Sequence, residues 1–447
     1  MVRKPIRGLG SAFAVVLLAG SLIAGCGSGP VASTAPPTAV VTPAPTASRP
    51  AASPSAQPSR TPSPAPPAFV TPTPPAAGAT WTGIEWQKLA AGDGLALVTS
   101  MIRWRGGFVA VGAVVASGDT SRTPVWTSAD GESWRAVDPS ALGPTDMVVG
   151  LGETDAGVVA LTLRGGANQC DGETRLGCWT LSGPLRSWTS ADGVAWTEHG
   201  GPDVKLTPDC DGCGLDVPIV RAGRPGVIVV VSSMDGQQVA VSPDGSTWET
   251  VPGEPFPSRS EIRDVAAFGS GFVAVGELNG DPTRAIALWS GDGRTWESRP
   301  IKAIGLAPKA GSTASHLVAG SAGLIAQGSD DLAPGTEYWW SSLDGRTWKQ
   351  LSNYPPLGTW FGEGEGSGMI PNGNLLADGE RLLAYRGGAK TAAWTSTDGR
   401  AWQKLDLSGA GPTTTGDWPM QDVLLLPIGL LWIADDGTTW FGRPMTS

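Results

Sequence analysis

Ser128-Ala129-Asp130-Gly131-Glu132-Ser133-Trp134 is the first of six copies of one heptapeptide, Ser-x-Asp-Gly-x-x-Trp. The other aspartates are Asp192, Asp244, Asp292, Asp344 and Asp398, and their copies close on Trp196, Trp248, Trp296, Trp348 and Trp402. Successive closing tryptophans stand 62, 52, 48, 52 and 54 residues apart, which makes the heptapeptide the marker of an architectural repeat. Upstream of each copy runs a short apolar stretch that typically opens on glycine, such as 107–112 and 271–276, which are identical in sequence (Gly-Phe-Val-Ala-Val-Gly). Further runs start at Gly157, Gly226, Gly323, Arg381 and Gly429, so seven runs accompany six heptapeptides.

Short β-branched runs bounded by Gly and Asp read as strands buried on both faces. Each unit then holds four strands: one before the glycine, the Gly-led strand, one ending in a tryptophan such as Trp126, Trp188, Trp340 or Trp394, and one opening on the heptapeptide tryptophan. Four strands in about 50 residues is the period of a β-propeller blade. The chain has 447 residues with 63 Gly, 39 Pro and 20 Trp, a composition of many tight turns and few helices. The expected fold is all-β, a seven-bladed β-propeller.

The absent seventh heptapeptide predicts how the ring closes. Aligned on the sixth unit, Trp440 takes the place of Trp394, and the chain ends before a fourth strand. The sequence 85–89 (Glu-Trp-Gln-Lys-Leu) matches 401–405 (Ala-Trp-Gln-Lys-Leu) at four of five positions, and Trp86 precedes Trp134 by 48 residues. Residues from 79 onward therefore supply the missing outer strand of the last blade and remove a free sheet edge.

Residues 1–25 carry a basic start (Arg3, Lys4, Arg7) and an apolar stretch from Ser11 to Ala24, too short for a spanning helix of about 20 residues. The stretch ends in Ile23-Ala24-Gly25-Cys26, which resembles a bacterial lipobox. That resemblance implies cleavage before Cys26, a diacylglycerol on its thiol, and an extracytoplasmic, membrane-anchored lipoprotein. Residues 26–78 are Pro, Ala, Ser and Thr with Arg49 and Arg60 as the only charges, a disordered linker by composition. Fully extended at ~3.1 Å per residue it reaches on the order of 150 Å. Net charge is −10, and the basic stripe that nucleic acid requires is absent.

The heptapeptide resembles the Asp-box of the BNR-repeat propellers, a family that includes sialidases, sortilin-like receptors and photosystem-assembly factors. Their consensus, Ser-x-Asp-x-Gly-x-Thr-Trp, is one residue longer, since here Gly directly follows Asp. The resemblance places the box at the hairpin between third and fourth strands. The chemistry suits a structural role: Asp accepts backbone N–H groups two residues on, Gly tolerates φ > 0, and Trp packs between sheets with its N–H at the rim. Six calcium-binding or catalytic aspartates is the reading it displaces.

By the same resemblance, ligand sites lie on the opposite face, among the second-to-third and fourth-to-first loops. The longest such loop, 352–372, carries Tyr354, Trp360, Phe361, Glu363 and Glu365; the next, 408–422, carries Asp417 and Trp418. Aromatics beside carboxylates suit sugar stacking or a protein hot spot. The alternative is a loop folded on its own aromatics. Cys170 and Cys178 in blade 2 and Cys210 and Cys213 before blade 3 allow three pairings, and an extracytoplasmic setting favours disulfides over a zinc site.

Two functions compete. One is a non-catalytic, surface-tethered monomer that binds a polysaccharide or protein partner in the cell envelope, without cofactor or metal. The other is a sialidase-like glycoside hydrolase, whose chemistry needs an arginine cluster, a Tyr nucleophile with a Glu partner, and a further acid. The early Arg-Ile-Pro motif of sialidases is absent. The chain has Tyr338, Tyr354 and Tyr385 alone, and Arg103, Arg105, Arg221 and Arg263 near first strands. Its two histidines, His199 and His316, sit in no metal motif.

Overall fold

A computed structural model describes residues 80–89, 98–112, 115–117, 120–138, 141–143, 146–167, 179–206, 218–233, 236–280, 284–300, 312–321, 323–330, 336–357, 359–361, 369–371, 373–386, 392–407, 422–433 and 438–446. The leader, Cys26 and the linker to residue 78 lie outside them. All regular structure among the described residues is β-strand.

Seven four-stranded antiparallel sheets form a seven-bladed β-propeller. Blade 4 is representative, with strands Ser260–Phe268, Gly271–Leu278, Arg284–Ser290 and Glu297–Pro300 in sequence order. The first strands of blades 1 to 7 are Val98–Trp104, Asp146–Glu153, Ile219–Gly223, Ser260–Phe268, Ser312–Gly320, Gly373–Ala377 and Asp422–Leu426. Each touches the next in order, and the last returns to the first, so these strands line the axis. The Gly-led second strands are buried almost throughout, as in Gly107–Gly112 and in Gly271–Leu278 up to its exposed last residue. A strand sandwiched between two sheets has no solvent face, and so its sequence is a continuous apolar run without alternation.

Blade 7 closes the ring as expected. Its strands Asp422–Leu426, Gly429–Ile433 and Thr439–Thr446 come from the end of the chain, and Trp81–Lys88 is its outer strand. The register pairs Trp86 with Gly442 and Lys88 with Trp440. Two details differ from expectation. Third strands run past the expected tryptophan to the heptapeptide serine, as Val125–Ser128 does beyond Trp126, because that serine is the first residue to bond into the turn. Except in blades 1 and 7, fourth strands begin one residue after the tryptophan and hold two to four residues. The turn still holds the tryptophan's own backbone.

The core is divided into seven clusters, one at each blade junction. Each heptapeptide tryptophan enters the cluster shared with the preceding blade. Trp134 of blade 1 meets Leu426, Leu431 and Phe441 of blade 7, and Trp348 of blade 5 meets Val273 and Ala287 of blade 4. The junctions therefore carry most of the buried apolar surface that holds the disc together.

Candidate functional site

The six heptapeptides are closed hydrogen-bonding units. In the first, Ser128 Oγ accepts the Gly131 N–H at 2.7 Å and donates to Asp130 Oδ1 at 3.0 Å. Asp130 Oδ1 accepts the N–H groups of Glu132 and Ser133 at 2.9 and 2.7 Å. The Trp134 indole donates to the Gly131 carbonyl at 2.9 Å. Four other copies give their aspartate the same two N–H donors, at residues 194 and 195, 294 and 295, 346 and 347, and 400 and 401. Asp244 takes the hydroxyl of Ser246 in addition to the N–H groups of Ser246 and Thr247. Trp196 breaks the pattern, its indole N–H being buried without an acceptor among the described residues.

All six carboxyls are held below the usual carboxylate range. Burial pushes five of them up as the largest single influence, and the donated N–H and hydroxyl bonds together outweigh it. At Asp244 the Ser246 hydroxyl bond leads. These charges face their own hairpins.

In an up-and-down sheet the first-to-second and third-to-fourth turns lie at one end. The first-strand ends therefore open on the heptapeptide side, where they enclose a cavity of about 470 Å3. Its polar lining is Arg103 from blade 1, Glu153 from blade 2, Arg221 from blade 3 and Asp378 from the first turn of blade 6; Leu424 and Leu425 of blade 7 add an apolar lining. Burial pushes the Glu153 carboxyl up, Arg103 pulls it partly back, and Asp155 adds to the rise. Asp378 caps its own turn, accepting the N–H groups of Glu380 and Arg381 at 2.8 and 2.7 Å.

Deeper along the axis, the buried Asp264 of blade 4 ties three blades together. One carboxylate oxygen accepts Arg221 Nη2 of blade 3 at 2.6 Å, and the other accepts the Leu317 N–H of blade 5 at 2.9 Å. His316 lies nearby, pushed down by burial, drawn up by Asp264 and pushed down further by Arg221. The imidazole is thus neutral at pH 7 and is part of the wall.

The arginines marked in the sequence divide. Arg103 and Arg221 line one cavity, while Arg263 pairs with Glu277 and Glu261 at 2.9 and 2.8 Å and Arg105 covers the ring of Trp104. All three tyrosines are built into blade junctions. Tyr338 and Tyr385 are 6 % and 3 % exposed, and Tyr354 stacks on Trp339 at 5.7 Å while donating to the Glu337 carbonyl at 2.8 Å. His199 pairs with Thr189 on the outer strand of blade 2.

Of the sequence-marked rim, Trp360 and Phe361 lie in a strand, Thr359–Phe361, that pairs with Met369–Pro371 as a separate two-stranded ribbon. Glu363, Glu365, Asp417, Trp418 and the four cysteines Cys170, Cys178, Cys210 and Cys213 fall outside the described residues. Sequence reading missed the axial cavity and the Asp264 tie, since their residues come from separate blades. The available signal was a charged residue inside a first strand, as at Arg221 and Asp264.

Neither a protein-family model nor a curated protein matches the chain. Among solved structures it is similar to the GH74 xyloglucanase of Xanthomonas campestris, at 18% identity and TM-score 0.44, over 78% of this chain and 53% of that one. It is also similar to the Trypanosoma rangeli sialidase bound to 2,3-difluorosialic acid, at 13% identity and TM-score 0.38, over 78% and 54% of the two chains. A Dyadobacter fermentans protein of unknown function aligns at 13% identity and TM-score 0.36, over 73% and 97%. The alignments span about half the length of the xyloglucanase and of the sialidase.

Proposed function

We propose that the chain is a non-catalytic propeller that binds a polysaccharide or protein partner in a bacterial cell envelope, tethered through a lipid on Cys26 and held off the membrane by residues 26–78. In this reading the heptapeptide is a shortened Asp-box, and its six aspartates serve the fold. The placement of the three tyrosines carries the choice between binding and sialidase chemistry. A sialidase-type reaction needs a tyrosine oxygen beside the substrate at the axis. Here every tyrosine packs between blades, and the Tyr354 hydroxyl donates to a backbone carbonyl.

The experiment is turnover of 4-methylumbelliferyl sialoside and of a panel of aryl glycosides by the purified protein, beside glycan-array and pull-down screens. Turnover that Arg103→Ala or Glu153→Gln abolishes would sink the non-catalytic reading. Binding to an array or a partner without turnover supports it. Anchoring is tested separately: Cys26→Ser should move the protein from the membrane fraction to the soluble fraction and abolish incorporation of an alkynyl fatty acid. One observation favours a glycoside hydrolase as the second reading, namely Glu153, a carboxyl raised by burial in a cavity that also holds Asp378. A pair of carboxyl groups flanking the scissile bond is what such hydrolysis uses.

A further inference from the structure

The motif-side end of the axis offers a ligand site that is separate from the aromatic rim. Apart from Ala322, the first-to-second turns that ring this end all belong to the described residues. The cavity's 470 Å3 lies in the range of small-ligand pockets, about 300–1,000 Å3. Its charges balance, with two arginines against two carboxyl groups. Arg221 is already committed to Asp264 at 2.6 Å, and Asp378 to the N–H groups of its turn. Arg103 and Glu153 stand on adjacent blades, close enough for their charges to interact. Beside them, Ile102, Leu424 and Leu425 are half-buried and line the same space.

A guanidinium and a carboxyl are planar groups that make paired hydrogen bonds, and two such groups match adjacent hydroxyls on one ring. The carbon skeleton of that ring has an apolar face suited to Leu and Ile. With an arginine and a carboxyl group side by side at the mouth, a strongly anionic or strongly cationic ligand would meet a like charge there.

We propose that the motif-side mouth of the axial channel is a saccharide-binding pocket, in which Arg103 and Glu153 hydrogen-bond adjacent hydroxyls of one neutral sugar ring and Ile102, Leu424 and Leu425 pack against its apolar face. The pocket rests on the polysaccharide half of the function proposed above and gives it a site other than the aromatic rim.

The test uses the full chain, first on an array of neutral gluco-, galacto-, manno- and arabino-tetrasaccharides, then by calorimetry with the tetrasaccharide retained best. Arg103→Ala and Glu153→Ala should each weaken binding about tenfold, the loss of a hydrogen bond to an ionisable group. Glu153→Gln keeps the planar shape and should stay within about threefold of the wild type. Arg186→Ala, on the third strand of blade 2 and paired with Glu198 of its outer strand, should bind as the wild type does. Retention of a saccharide by Arg103→Ala and Glu153→Ala at wild-type affinity overturns the pocket. If Trp360→Ala then loses it, glycan binding stands and belongs to the rim. No neutral saccharide bound by the wild-type chain overturns the pocket and the polysaccharide reading together, leaving the protein-partner reading.

Discussion

Six blade junctions are sealed by the heptapeptide, whereas the junction between blades 6 and 7 is sealed by the first strand of the folded region. At the six, the motif glycine has positive φ and sits against an apolar side chain of the preceding blade, on its second strand at Gly193, Gly245, Gly345 and Gly399. A Cβ added at Gly345 would stand 2.6 Å from Val273 Cγ2, and one at Gly399 would stand 2.5 Å from Ile325 Cδ1. Glycine is therefore demanded twice, by the turn and by the neighbour. Blade 7 has no such turn, because Thr439–Thr446 runs straight on where other third strands stop. Trp81, fully buried, and Ile84 fill the place against Leu383, Tyr385 and Ala393 of blade 6. Backbone bonds lock the contact, from Ile84 N–H to the Asp406 carbonyl at 3.0 Å and from Asp406 N–H to the Thr82 carbonyl at 3.1 Å.

A second irregularity belongs to the same contact. In blades 2, 3, 4, 5 and 7 the second strand is led by a glycine whose Cβ would fall 2.1–2.5 Å from a third-strand carbonyl. Blade 6 has Arg381 there, with its guanidinium 4.2 Å from the Trp81 ring centroid. The one departure from the leading glycine thus faces the residue that replaces the missing heptapeptide. A ring assembled from repeats needs one non-repeating joint where the two chain ends meet, and both irregularities are gathered at it.

Breaking that joint gives the largest expected effect. Trp81→Ala should cost about 4 kcal/mol, the scale of removing a buried tryptophan. It should also speed proteolysis in residues 80–89, because it loosens the strand that closes the ring. Trp134→Ala should cost a similar amount without that protease sensitivity. Urea midpoints and limited proteolysis of the two variants separate the joints, and equal cleavage patterns would refute the distinction.

Next in size is a motif glycine. Gly399→Ala combines positive φ with the contact on Ile325, and should cost about 2–3 kcal/mol. Gly379→Ala is the control: its φ is positive, yet nothing lies within 4 Å, so about 1 kcal/mol is expected. Adding Ile325→Val to Gly399→Ala removes the atom in the way and should recover part of the difference. If the two glycine variants cost the same, the neighbour contact contributes nothing.

What could be read from sequence follows the same division. Blade number and ring closure were legible, since both rest on a repeated spacing, and the turn bonds of Asp130 and Trp134 fall within seven positions. The outer strand of blade 7 was legible because Trp86 repeats Trp402 and its neighbours. The axial features were not. Arg221 and Asp264 lie 43 positions apart in different blades, and Glu153 meets Arg103 only because first strands of successive blades stand side by side. The ribbon pairing Trp360 with Ile370 lay hidden in a Gly-rich stretch without alternation. Chemistry assembled across blades leaves no local pattern.

A smaller effect sharpens the joint itself. Arg381→Ala should cost about 1 kcal/mol in the wild-type chain, a cation–π contact with a buried indole. In a Trp81→Ala background the same change should cost close to nothing. The double-mutant cycle reads the coupling directly, and additive costs would mean that Arg381 stabilises blade 6 through other partners.

The smallest effect per residue is pH-dependent, and it distinguishes the two kinds of junction by chemistry. Each heptapeptide carboxyl titrates below its ordinary value of 3.8 in the folded chain. A depressed folded value stabilises above the unfolded value and loses that contribution as pH falls through the folded one. Stability should therefore be flat near neutrality and decline below about pH 4, where all six hairpins lose charge-assisted bonds together. Asp344→Asn keeps one acceptor but no charge, so it should cost about 1 kcal/mol at pH 7 and close to nothing well below the folded value. The joint of blades 6 and 7 contains backbone bonds and a ring contact in place of a heptapeptide carboxylate. Hydrogen exchange at pH 3 should accordingly release the Arg346 and Thr347 amides, which donate to Asp344, while the Ile84 amide keeps its protection. Loss of all three protections in step would mean that acid opens the ring at its joint first, and that the heptapeptides are not the acid-sensitive element.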